Sequence, residues 1–218
     1  MNINKHLILL FSVLFFLFAV SVSSGCFRKN ESDVKSVVRN ELDQLKNLDS
    51  ETTQKYIPYT ELFPDATENT DLTDEINETF SLFFRKFNYK ISDVIIGTAN
   101  HSATVSVKLT TIDSKVLARD FKAELLRTQI TESAQAQKGN IKDSSRSLEA
   151  HYLILNHLLN TNDYDTAETD CNIQLVNTGN DKKEKWKIQR TNSLEDDLVG
   201  GLIADLADPD ILSPEDTL

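Results

Sequence analysis

The sequence predicts an α+β domain built on a curved antiparallel sheet, and two observations carry that expectation. Apolar residues recur at three- and four-residue intervals in several long segments, as in helices with one buried face. Between them lie runs of strand character joined in pairs by short polar turns. The order helix, helix, helix, hairpin, helical insert, hairpin, helix favours antiparallel neighbours over parallel βαβ units.

The first helix is expected from Ser32 or Asp33, as cap, to Leu48, with Val34, Val37, Val38, Leu42, Leu45 and Leu48 inward. Asp49-Ser50 stops it and caps a short second helix, Glu51 to Tyr56, ended by Pro58. A third helix starts near Leu72-Thr73 and carries Ile76, Phe80, Phe83, Phe84 and Phe87 on one stripe. Such an aromatic stripe suits plain core, with a ligand cavity as the alternative.

Tyr89 to Ile96 and Ala103 to Ile112 read as a hairpin around Gly97–His101. Val105, Val107 and Leu109 face one side, and Thr104, Ser106 and Lys108 the wet side. Asp113-Ser114 caps a helical insert, residues 114–160, predicted to form an αα-hairpin. Its first helix is expected to present Val116, Leu117, Phe121, Leu125, Leu126 and Ile130 as one apolar face. Gly139-Asn140 interrupts, and the second helix is expected from about Asp143 to Leu159. Strands return at Tyr164–Asn177 and Lys183–Arg190, with Cys171, Ile173, Leu175, Trp186 and Ile188 inward. Ser193 caps a last helix, which Gly200-Gly201 weakens and Asp208-Pro209 closes. Residues 208–218 read as an acidic, flexible tail.

The amino terminus adds an address. Lys5 and His6 precede the apolar run Leu7–Val20, and Ser21-Val-Ser-Ser-Gly25 leads to Cys26. A run of about 14 residues suits the core of a signal peptide, residues 1–25, better than a membrane span of about 20. Ser23-Ser24-Gly25-Cys26 resembles the lipobox of bacterial lipoproteins, with Ser23 standing where that family usually carries Leu. The resemblance implies that Cys26 receives a diacylglyceryl lipid and that cleavage occurs before it, and the polar run after Cys26 makes residues 26–32 read as a short tether. The lipobox resemblance places the protein at the cell membrane, on its extracytoplasmic face. Two acyl chains anchor stably where one does not.

Composition excludes several classes. The chain holds 34 acidic and 23 basic side chains, net −11. Without residues 1–25, which contain Lys5 and no acid, the balance is 34 against 22, or −12. No basic stripe exists to track a phosphate backbone, so nucleic acid is not an expected partner. With Cys26 lipidated, Cys171 has no disulfide partner and reads as a small buried apolar residue.

The search for chemistry is mostly negative. Glycines are too scattered for a phosphate loop, and no Gly-x-Ser-x-Gly elbow appears. His151 and His157 are six residues apart, the wrong helical spacing for shared metal ligation. His101 in a hairpin loop and His151 on a helix are the candidate acid–base groups. The acidic stretch Asn162–Asp170 offers oxygen ligands, yet lacks the bending Gly and closing Glu of an EF-hand loop. No cofactor and no metal are expected.

Three stretches together resemble the NTF2-like (cystatin-like) domains of Gram-positive lipoproteins. They are Val34–Asp49 as first helix and acidic turn, Val105–Asp113 as a strand entering an insert, and Lys185-Trp-Lys-Ile188 with Leu198-Val-Gly-Gly-Leu202 as final strand and helix. The resemblance covers most of residues 31–207 and implies one domain, 33–207, with a curved sheet packed on helices. That family contains binding modules as well as enzymes, so fold alone does not select a role. The leading expectation is a non-enzymatic module that binds a small molecule or protein partner. A structural role in the envelope, docking through residues 114–160, is the alternative. An enzyme using His101 or His151 in the sheet's concavity is the third.

Overall fold

The computed structural model describes residues 30–57, 62–64, 66, 72–97, 101–136, 147–179 and 185–212. The expected signal segment, Cys26, the Gly139-Asn140 break and the last six residues lie outside them. Within the described residues the chain is α+β, with a four-stranded antiparallel sheet in the order β1-β2-β3-β4. The strands are β1 (Asn88–Ile96), β2 (Ser102–Ile112), β3 (Thr166–Asn177) and β4 (Trp186–Ile188).

Helix α1 is already formed at residue 30 and runs to residue 46, so Ser32 and Asp33 lie inside it and do not cap it. Val34, Val38, Leu42 and Leu45 are buried, as their spacing predicts. Leu48 is exposed instead, because its positive φ of 62° ends the helix before the side chain can turn inward. The Asp49 carboxylate accepts from the Thr52 amide at 2.9 Å and starts α2 (Ser50–Tyr56). Helix α3 (Thr73–Phe84) follows.

β1 contains a bulge between Ile91 and Asp93 that periodicity alone does not reveal. Ile91 and Val94 are three residues apart, which would put them on opposite faces of a regular strand. The extra residue resets the register, so Ile91 pairs Val107 and Val94 pairs Val105 on the same inner side. β2 and β3 pair over eleven residues, from Ser102↔Val176 to Ile112↔Thr166. Their inner residues Val105, Val107, Leu109, Cys171, Ile173 and Leu175 are all buried. Thr104, Ser106, Asp170 and Asn172 stand on the outer side.

α4 (Ser114–Ala136) and α5 (Leu148–Thr161) form the insert. The Ser147 hydroxyl accepts from the Ala150 amide at 3.1 Å, which places the start of α5 at Leu148, five residues later than expected. β4 is only three residues long, shorter than the predicted 183–190. The expected last helix is two helices, α6 (Asn192–Leu198) and α7 (Leu202–Ala207), with Thr191 as the cap of the first. Gly200 and Gly201 adopt φ of 67° and 91°, left-handed conformations that break the helix rather than merely weaken it. A Cβ at Gly200 would overlap the Thr111 hydroxyl, so this turn packs directly on β2. Ile211 is buried, so packing continues four residues past α7 into the segment that composition reads as tail.

Candidate functional site

The hollow between the sheet and α3 is where a pocket of this architecture is expected, and aromatic rings fill it. Phe80, Phe83, Phe84 and Phe87 are all buried. A chain of ring contacts runs from Phe121 to Phe63 at 5.1 Å and on to Tyr152 at 5.4 Å. It continues through Phe80 and Phe84 to Phe87. Such ring pairs add to area burial and leave interdigitated packing. The aromatic stripe is therefore core.

His151 joins this cluster from α5, its ring 4.9 Å from Phe63 and 5.7 Å from Phe121. Its Nδ1 lies 2.8 Å from the Ser147 carbonyl oxygen. Burial holds the imidazole below its ordinary pKa, with the Ser147 carbonyl opposing. A neutral ring among phenyl groups suits packing more than proton transfer. His101 is exposed at the end of the β1–β2 turn, and its carbonyl accepts from the Asn177 amide at 2.9 Å. The structure does not bring the two histidines to one cavity.

Cys171 lies on the inner face of β3, unpaired and buried, as expected. Burial, then the nearby Asp197 carboxylate, pushes its thiol far above the ordinary range, so it is not a reactive thiolate. Burial also raises Asp197, which accepts the thiol's hydrogen bond. Neighbouring Asp196 has another task, since its Oδ1 accepts from the Ile203 amide at 2.9 Å and starts α7.

The acidic stretch 162–170 is dispersed by its own secondary structure. Asp163 meets Lys86 at 2.6 Å, while Glu168 and Asp170 flank Lys108 on the outer sheet face at 3.3 and 3.5 Å. Among the described residues no group of three or more His, Cys, Asp or Glu is placed to hold a metal ion. The deeply buried Glu195 carboxylate pairs locally: its Oε1 accepts from Arg190 Nε at 2.9 Å and Nη2 at 2.6 Å.

Shallow clefts open on the surface of the described residues. One, of about 250 Å³, is lined by Leu48, Thr53, Asn77, Phe80 and Ser81. Another, of about 210 Å³, is lined by Lys115, Val116, Arg119 and Ile211. Both are below the usual size of a drug-sized ligand site.

The largest departure from expectation lies on α4. Leu117 and Phe121 are buried, but Leu126 is 49% and Ile130 61% exposed. Nine residues separate Leu117 from Leu126, which at 3.6 residues per turn is about half a turn out of phase. Five of the six apolar residues therefore fall into two stripes rather than one face. The inner stripe carries Leu117, Phe121 and half-buried Leu125; the outer carries Leu126 and Ile130. Leu153 on α5 is likewise exposed. A helical-wheel count could have found this division, whereas apolar spacing by threes and fours alone hides it.

Comparison with models of protein families, with characterised proteins and with solved structures found no match. Among the described residues no helix is long and apolar enough to cross a membrane.

Proposed function

We propose that this chain is a lipoprotein, anchored through Cys26 on the extracytoplasmic face of the cell membrane, whose NTF2-like domain binds a protein partner and performs no catalysis. The observation that carries the partner reading is the outer stripe of α4, where Leu126 and Ile130 sit one turn apart and exposed. Apolar residues paired this way mark contact sites more often than isolated exposed ones do. The aromatic filling of the hollow supports the same choice, since it occupies the place where a small ligand or substrate would enter.

A photo-crosslinking residue at Ile130, in the native host, tests the reading. One defined adduct is expected from Ile130 and none from Asp170 on the outer sheet face. Equal labelling from both positions, or none, would sink it. The anchor has a separate check: Cys26→Ala should leave the precursor uncut and move the protein out of the detergent phase. A cleaved, soluble product would mean an ordinary secretory signal.

A second reading keeps the small-molecule role, in the cleft beside Thr53, Asn77 and Ser81, where hydroxyl and amide groups meet the edge of Phe80. The acid–base reading through His101 or His151 draws no comparable support from the geometry, because one ring is at the surface and the other is packed among phenyl groups.

A further inference from the structure

We infer that the folded domain is held flush against the outer surface of the bilayer, with the start of α1 at the lipid. This deepens the lipoprotein reading and rests on it. Only Phe27, Arg28 and Lys29 separate Cys26 from Asn30. Four peptide spacings reach at most about 14 Å. Asn30 is itself packed, 8% exposed, and Val34 one turn on is fully buried with Val38, Leu42 and Leu45. The first turn therefore belongs to the core, and lengthening the tether would require pulling buried valines and leucines out of it.

Sequence-based reading places the tether's end at Ser32. The structure shortens it, because helix is present at residue 30. Arg28 and Lys29 add charge suited to phosphate-bearing headgroups, each attracted within about one Debye length, roughly 8 Å, of the surface. The domain beyond is strongly acidic, so the lipid and this basic pair work against its repulsion from anionic lipid. The tether cannot carry the domain more than about 14 Å outward to meet a partner.

The test is neutron reflectometry of the full lipidated chain on a supported phosphatidylcholine–phosphatidylglycerol bilayer. Protein density is expected to begin within about 14 Å of the headgroups. Inserting about 20 flexible Gly/Ser residues after Lys29 should open a solvent gap on the order of 25 Å. A wild-type profile that already shows the wide gap, or an insertion that changes nothing, would overturn the inference while leaving the anchor intact. Cys26→Ala protein is expected to wash off the bilayer. Retention equal to wild type would overturn the anchor reading, and this inference with it.

Discussion

The two sides of α4 share one helix and similar side chains yet meet different surroundings. On the inner side Ser114, Leu117, Ala118 and Phe121 are buried. The Gly200–Gly201 turn closes over the start of this side: Ser114 donates to the Gly200 carbonyl at 2.5 Å and approaches Asp205 Oδ2 at 2.7 Å. Phe63 and His151 cover Phe121. On the outer side the Lys122 ammonium meets the Asp208 carbonyl, and Leu126 and Ile130 are exposed. A helix of 23 residues thus contributes to the core through one side of its first two turns and offers surface over much of the rest. Apolar character alone does not distinguish a residue that stabilises the fold from one left exposed.

Truncation separates the two sides most sharply. Phe121→Ala is expected to lower unfolding free energy by about 3–5 kcal/mol, through lost burial and the cavity left among the rings. Ile130→Ala should stay within about 0.5 kcal/mol. Urea unfolding of both variants measures the contrast. Similar losses would mean that Ile130 is packed in the folded chain, which would remove the basis for an outer docking stripe.

The next effect concerns what closes over the inner side. Gly200→Ala introduces a Cβ against the Thr111 hydroxyl and strains a φ of +67°, with an expected loss of about 1–3 kcal/mol. Among the described residues the buried Thr111 Oγ1 has no hydrogen-bond partner, so Thr111→Val should be neutral or stabilising. Melting temperatures of the two variants should therefore move apart. If both fall together, the turn packs on β2 through something other than close approach at Gly200.

The smallest effect is a pH dependence confined to the packed side. Burial lowers the His151 pKa, so the folded chain resists protonation there. As pH falls through about 6.5, the unfolded chain takes up the proton first. The stability contributed by neutral His151 is thus present above that pH and is lost below it, until the folded group also protonates. Urea midpoints between about pH 5 and pH 7 should slope less in His151→Gln than in wild type. An unchanged slope would mean that His151 titrates freely and that the Phe63–Phe121 cover is open.

Much of this architecture is legible in the chain. Asp49 and Asp113 cap where their side chains predict, Asp113 through the Val116 amide at 3.3 Å. Val105, Val107 and Leu109 face in, and the phenylalanines of α3 are core. The candidate site was less legible. His151 carries the same residue type whether it faces a cavity or two phenyl rings, and only the arrival of Phe63, from a distant segment, decides which. Cys171 sits in a strand pattern that predicts burial, but nothing local predicts Asp197 beside it.

The division follows from the range over which each force acts. Helix stripes, strand alternation and the caps at Asp49 and Asp113 depend on residues a few positions apart, and the sequence by itself determined them. Cover depends on where other elements end. Tertiary structure alone decided that the Gly200–Gly201 turn breaks the last helix against Thr111, that a bulge in β1 keeps Val94 inward, and that rings close the hollow. It also decided which stripe of α4 is covered, because burial needs a second surface at the right distance and no residue specifies its own partner.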